Sequence, residues 1–310
     1  MIIHPGFVGI DISKANLDVF DATAGQLQRI ANAPQPIAKL LRRWKRTKVF
    51  VLFEATGHYD TALQSALAKA QIPFARVNPA RARDFARAAG FLAKTDAVDA
   101  KMLAAMAQRL RPNPSQPADL ERQRLARLQK RRDQLVAMRQ QERTRVHDAP
   151  CPEITADIAR HLAWLDSEID TLQTRIKTLI ATSAQLAPAC SRMRTVPGVG
   201  PVTAVTLLAL VPELGSRSPK TIAALAGLAP FNADSGGFRG LRRIGGGRKR
   251  VRDALYMAAV AASRSRSRFA DFYRNLRKAG KPPKLAFIAL ARKILTTINA
   301  IMRDQVVFQP

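Results

Sequence analysis

Four carboxylates and one hydroxyl in this 310-residue chain have the types and spacing of phosphoryl-transfer chemistry. Asp11 and Glu54 each follow an apolar run, Phe7-Val8-Gly9-Ile10 and Val49-Phe50-Val51-Leu52-Phe53. Asp96 and Asp99 stand three apart where a helix begins, so both can face one side. Converging at one sheet edge, the four would hold two divalent ions about 3.5–4 Å apart, suited to in-line displacement at phosphorus. Hard oxygen ligands favour Mg2+, with Mn2+ as the alternative. The hydroxyl is Ser235, in Asp234-Ser235-Gly236-Gly237. Behind it Arg239, Arg242, Arg243, Arg248, Lys249, Arg250 and Arg252 place seven cations in fourteen residues, which suits a polyphosphate. Gly245-Gly246-Gly247 would let backbone approach one closely. Locally, Ser235 fits a nucleophile and an ordinary turn serine equally well. Each carboxylate also has a plain structural reading. Asp96 would cap its helix and Asp99 would serve the helix dipole at the third position. Asp11 would start a loop, and Glu54 would cap the turn before Thr56-Gly57.

The elements that must position these groups read as an α/β region followed by helices. Residues 7–21 suit a strand, a tight turn and a returning strand. Residues 36–46 look helical and basic. Val49 to Phe53 is a continuous apolar run of the central-strand type. A helix from Asp60 to Ala70, a short strand Phe74 to Val77 and a helix Ala80 to Ala88 follow, and this alternation predicts an α/β domain. The helix that opens at Asp96 runs to about Leu110, and the proline-rich stretch 111–117 breaks it. An Asp after the first strand, a Glu after a central strand and Asp-x-x-Asp on a later helix together match an RNase H-like nuclease layout.

Residues 119–146 predict a long charged helix with Leu125, Leu128, Leu135 and Met138 on one side. After a Pro turn, Ile158, Leu162, Leu165, Ile169, Leu172, Ile176 and Leu179 repeat at alternating spacings of four and three, a heptad seam. The pair reads as an antiparallel coiled-coil arm, or as one more helix pair packed on a core. Val196-Pro197-Gly198-Val199-Gly200 before an apolar helix resembles the turn of a helix-hairpin-helix, where Gly198 and Gly200 would offer backbone N–H groups to a phosphate. Helices near 219–228, 253–262 and 285–302 complete the chain. The expected division is 1–112, 113–187 and 188–310.

Charge narrows the partner. Lys and Arg total 51 against 23 Asp and Glu, a formal net charge of +28, while 47% of residues are hydrophobic. The chain can therefore build cores, yet its self-repulsion calls for a polyanion, and nucleic acid leads. From Gly236 to Lys293 there are 17 Lys and Arg against two Asp, so most of the excess sits in the C-terminal part. No stretch reads as a long uncharged membrane span and no secretory signal is apparent. Cys151 and Cys190 are far apart without metal-site spacing and read as free thiols of a reducing cytosol.

The ordered motifs resemble those of the insertion-sequence 110 family of DEDD transposases, the bridge-RNA-guided recombinases. They are Val8-Gly9-Ile10-Asp11-Ile12-Ser13-Lys14, Phe53-Glu54-Ala55-Thr56-Gly57 and Lys94-Thr95-Asp96-Ala97-Val98-Asp99-Ala100 near the N-terminus. Toward the C-terminus they are Val196-Pro197-Gly198-Val199-Gly200, Ser235-Gly236-Gly237, Arg242-Arg243-Ile244, Gly246-Gly247-Arg248 and Leu255-Tyr256-Met257-Ala258-Ala259. The resemblance implies a RuvC-like domain with metal ligands Asp11, Glu54, Asp96 and Asp99. It implies a C-terminal transposase domain with Ser235 as nucleophile, passing through a covalent phosphoserine. It further implies a structured guide RNA that pairs with donor and target DNA, and dimers that assemble into tetramers. Gly237 departs from the expected hydroxyl residue and leaves the hydrogen bonds around the serine open. Two other readings compete. One is a RuvC-like nuclease or junction resolvase that uses water, and the other a nucleic-acid-binding protein without catalysis.

Overall fold

A computed structural model describes residues 6–44, 47–55, 57, 59–91, 95–115, 119–148, 151–231 and 242–309. The chain divides into two compact units, Met1–Ala118 and Asp119–Pro310.

The first unit is built on strands β1 (Gly6–Ile12), β2 (Asn16–Asp21) and β3 (Gln26–Ala31), helix α1 (Pro34–Trp44), strand β4 (Val49–Glu54), helix α2 (Thr61–Lys69) and strand β5 (Phe74–Val77). Helices α3 (Pro79–Ala88) and α4 (Asp96–Leu110) close it. The sheet order is β3-β2-β1-β4-β5: β1, β2 and β3 meander antiparallel, and β4 and β5 join in parallel. Period-two alternation sends Val8, Ile10, Val51 and Phe53 into one core with Ile37, Leu41, Leu63 and Leu67 of α1 and α2. Phe50 and Leu52 go to the other core, with Met102, Leu103 and Met106 of α4. Gly9 lies on this second face. A Cβ there would stand 2.0 Å from the carbonyl oxygen of Ala100 and 2.4 Å from the nitrogen of Ala104. Glycine is therefore what lets α4 lie directly on β1.

The third strand is not foreseen by the pattern, which ends the hairpin at Asp21. Its turn is chemically ordinary: the Asp21 side chain accepts from the backbone of Thr23 and Ala24, and Gly25 takes φ +65°. Strand β3 alternates without burying one whole face, so it lacks the apolar signature of a half-buried strand. Other boundaries shift slightly. The basic helix expected over 36–46 is α1, starting at Pro34, and Asp60 precedes α2 without capping it, its buried carboxylate meeting Arg76 at 2.6 Å instead.

The second unit is helical: α5 (Leu120–His147), α6 (Pro152–Thr182), α7 (Leu186–Arg194), α8 (Pro201–Leu210) and α9 (Pro219–Leu225). A short antiparallel ribbon, β6 (Pro230–Phe231) with β7 (Arg243–Ile244), precedes α10 (Lys249–Ser263), α11 (Arg268–Lys278) and α12 (Pro283–Asp304). Along α5 and α6, Leu135, Leu165, Ile169 and Leu172 form a small cluster of their own. Leu125, Ile176, Leu179 and Ile180 join the main core with α7, α8, α10 and α12. Most of the heptad seam is buried, whereas Met138 is exposed. Helix α12 is long and apolar enough to cross a membrane by length and composition alone. Leu290, Ile294, Leu295 and Ile298 are fully buried within the unit, and α12 packs as its core helix.

Candidate active site

At the carboxyl ends of the two central parallel strands, β1 presents Asp11 and β4 ends on Glu54. The register runs Gly6 beside Val49 through Ile10 beside Phe53, so Asp11 and Glu54 are next in line. Alternation puts Asp11 on the same face as Gly9, and Glu54 on that of Leu52, the face that α4 covers. Helix α4 begins there with Asp96 and Asp99 in its first turn. The plain reading of Asp96 as the helix cap does not hold. Thr95 is the cap, its hydroxyl accepting from Val98 N at 3.3 Å, which places Asp96 at the first helical position and Asp99 at the fourth.

The charges of these groups act on one another. The Asp11 carboxyl is pushed up to about 6, first by burial, then by the negative charges of Asp99 and Asp96, with Glu54 adding a smaller push. A backbone hydrogen bond from Ile12 partly offsets this rise. All three other carboxylates thus act on Asp11 through a poorly solvated space. Anionic oxygen donors facing one another suit a hard divalent cation, which would relieve this repulsion. Among the described residues, no group of three or more His, Cys, Asp or Glu side chains stands close enough together to hold a metal ion. Asp96 is engaged by an arginine.

That arginine, Arg29 of β3, was not among the residues singled out by sequence. Its Nε donates to Asp18 Oδ1 at 2.9 Å, and its Nη2 donates both to Asp18 Oδ2 at 3.0 Å and to Asp96 Oδ2 at 2.8 Å. Register explains the row. Asp11 is the cross-strand partner of Asp18, and Asp18 is the partner of Arg29, so all three share a face. Asp18 is only 5% exposed. The cross-strand charge pair was the signal available in sequence, but it is visible only once β3 is recognised. Asn32 fastens the same edge by donating to the carbonyls of Ser13 and Tyr59, both at 3.0 Å.

In the second unit, Ser235 and Arg239 lie outside the described residues. The strands on either side of residues 232–241 pair with each other, Phe231 with Arg243 and Pro230 with Ile244. The remaining cations divide by what they touch. Arg248 forms a two-pronged pair with Glu213, at 2.7 and 2.6 Å. Burial would raise the Glu213 carboxyl, but the Arg248 hydrogen bonds and charge outweigh it and hold the group below its ordinary value. Arg250 grips Asp133 of α5 at 2.5 and 3.1 Å, and Arg252 donates to the Gly246 carbonyl at 2.8 Å. Lys249 pairs with Asp253 on the exposed face of α10, and Arg242 and Arg243 are exposed.

The glycines divide likewise. A Cβ at Gly198 would meet the Ala258 carbonyl at 2.3 Å, so this residue is needed for packing on α10. Gly200 has open space around it and precedes α8. Gly247 lies against the backbone nitrogen of Gly227, whereas Gly245 and Gly246 face open space.

Comparison with known proteins finds matches in both units. A family model described as "Transposase IS116/IS110/IS902 family" matches residues 190–274, and a DEDD-type IS110 "Transposase" model matches residues 8–149. The "Pilin gene-inverting protein" of Moraxella lacunata is 31% identical over 311 residues, covering 96% of each chain. The protein of the same name from Moraxella bovis is similar to the same extent. An uncharacterized protein of insertion element IS116 from Streptomyces clavuligerus is 29% identical over 160 residues, covering 51% of this chain and 39% of that protein. The full-length similarity, together with the carboxylate-bearing sheet and the helical second unit, places the chain in the IS110 family of transposases, enzymes that recombine DNA.

Proposed function

We propose that this transposase cuts and rejoins DNA through Ser235, with Asp11, Glu54, Asp96 and Asp99 holding Mg2+. The observation that carries the metal part of the reading is the placement of Asp11 and Glu54 at the adjoining ends of β1 and β4, on the face where α4 begins with Asp96 and Asp99. The carboxylates at the ends of β1 and β4 and the start of α4 are oxygen donors of the type a hard divalent cation takes. The meander of three antiparallel strands continued by two parallel ones supports an RNase H/RuvC-like assignment for the first unit.

In the proposed reaction the Ser235 oxygen forms a bond to phosphorus while the bond to a deoxyribose oxygen breaks. The serine proton leaves the attacking oxygen and the departing oxygen gains one. The phosphoserine conserves the phosphodiester's energy, so attack by the hydroxyl end of another strand reverses the step and rejoins DNA without ATP. A divalent ion at the carboxylates would supply Lewis-acid polarisation of the phosphate. Asp11 must be ionised to serve as a ligand, and exposed Arg242 and Arg243 neutralise backbone phosphate. The reading extends to a structured guide RNA that pairs with donor and target DNA. It further includes a dimer-to-tetramer assembly in which one subunit's carboxylates complete another's serine site. The large cationic excess of the C-terminal part supports a polyanionic partner.

The test is covalent trapping. Wild-type protein is incubated with DNA, guide RNA and Mg2+, denatured, and resolved for DNA attached to protein. An adduct is expected for wild type and none for Ser235→Ala. Asp11→Asn and Asp99→Asn should bind DNA without forming it. Full cleavage by Ser235→Ala with no adduct in any variant would establish the water-using nuclease instead.

A further inference from the structure

We infer that Arg29 holds the place of a divalent cation at Asp96, and yields that carboxylate when the ion binds. This rests on the proposed reading that the four carboxylates take such an ion. The two halves of the Arg29 contact are unequal. Toward Asp18 it makes two hydrogen bonds to an acid whose side chain is 7% exposed. Toward Asp96 it makes one, and both side chains there are more than half exposed, at 55% and 58%. Exposed pairs are weak because water screens them and competes for the same donors, whereas breaking a pair to a buried acid strands a desolvated charge. Arg29 can thus release Asp96 cheaply while staying fixed on Asp18.

The position is built by the sheet. The cross-strand rows run Asp11, Asp18, Arg29 over β1, β2 and β3, with Asp96 overhead at the start of α4. The guanidinium thus sets positive charge beside Asp18 and Asp96, on the face that Asp11 shares. Once Asp96 is released, the freed Nη2 hydrogen stays at the same edge as a charge-assisted donor for a phosphate oxygen of DNA. Arg29 is therefore a positioning residue for the carboxylates, and the chemistry needs no further group to account for its role.

The experiment titrates Mn2+ against full-length wild type, R29Q and D18N/R29Q without DNA, with free Mn2+ read by its electron paramagnetic resonance signal. Both variants should bind Mn2+ more tightly, by up to about five-fold, the range set by one exposed ion pair. The double variant has the same net charge as wild type and leaves no buried acid without its partner. Tighter binding there cannot come from bulk charge, and the variant serves if R29Q alone fails to fold. Binding by D18N/R29Q no tighter than wild type overturns the inference and leaves the carboxylate reading standing. Absence of Mn2+ binding by wild type overturns that reading, and the role of Arg29 falls with it.

Discussion

Gly9 of β1 and Ala100 of α4 approach so closely that a Cβ on the glycine would lie 2.0 Å from the alanine carbonyl oxygen. Two residues further along β1 stands Asp11, and one residue before Ala100 stands Asp99. The contact therefore sets how near the strand's acid comes to the helix's acids. The obstructing atoms are backbone, which no rotamer change can move. Gly9→Ala should force α4 away from the sheet and destabilise the protein by about 3 kcal/mol, the upper end of overpacking. A melting temperature within 1 °C of wild type, on a scale where about 1 kcal/mol moves it several degrees, would refute the packing argument.

The Asp11 carboxyl gives a pH signature. Its folded value, about 6, lies above the ordinary 3.8, so the folded state binds this proton more tightly than the unfolded chain. The stability it contributes is full below pH 3.8 and is lost as pH rises through about 6. Asp11→Asn should therefore melt above wild type at pH 8 in a chelator and level with it near pH 4. Mg2+ at pH 8 should raise the melting temperature of wild type and leave that of the variant in place, and the Mg2+ response of wild type should fade below pH 6. Calorimetry across that range decides it, and a variant that melts below wild type at pH 8 in chelator would contradict the sign.

The cations of the second unit should separate into two groups in solution. Arg242→Ala and Arg243→Ala remove exposed charge, so each should weaken DNA binding and lower the salt slope by about 1. Arg250→Ala instead removes the two hydrogen bonds its guanidinium makes to Asp133, and should lose about 1–3 kcal/mol of stability. Filter binding at several salt concentrations, beside thermal melts of the same proteins, tests the division. Equal salt slopes for all three variants would contradict it.

The Glu213–Arg248 pair adds an acid-side prediction. Its depressed carboxyl contributes stability that is present above pH 4.5 and is lost as pH falls through the lower folded value. Glu213→Gln should narrow the gap between the melting temperatures at pH 7 and pH 3. An unchanged gap would show that Arg248 does not hold Glu213 in solution.

Much of this molecule was legible from local pattern, because burial imposes periodicity on the chain. The apolar runs ending at Asp11 and Glu54, the helix carrying Asp96 and Asp99, and most of the heptad seam of α6 follow from spacings of two, three and four residues. Other features depend on which strand lies beside which, and on how closely two backbones meet. Strand β3 has no continuous apolar face, so neither it nor Arg29 announced itself; only register set that arginine opposite Asp18 and within reach of Asp96. The glycines at 198 and 247 read as places for a phosphate, yet both meet protein backbone. Arg248 and Arg250 read as free cations, yet both meet carboxylates 35 and 117 residues away along the chain. The amino-acid order by itself determined the candidate acids and the elements that bear most of them, because those depend on short-range spacing. Only the tertiary structure decided which charges remain available to DNA, because ion pairing depends on proximity in space between residues distant in sequence.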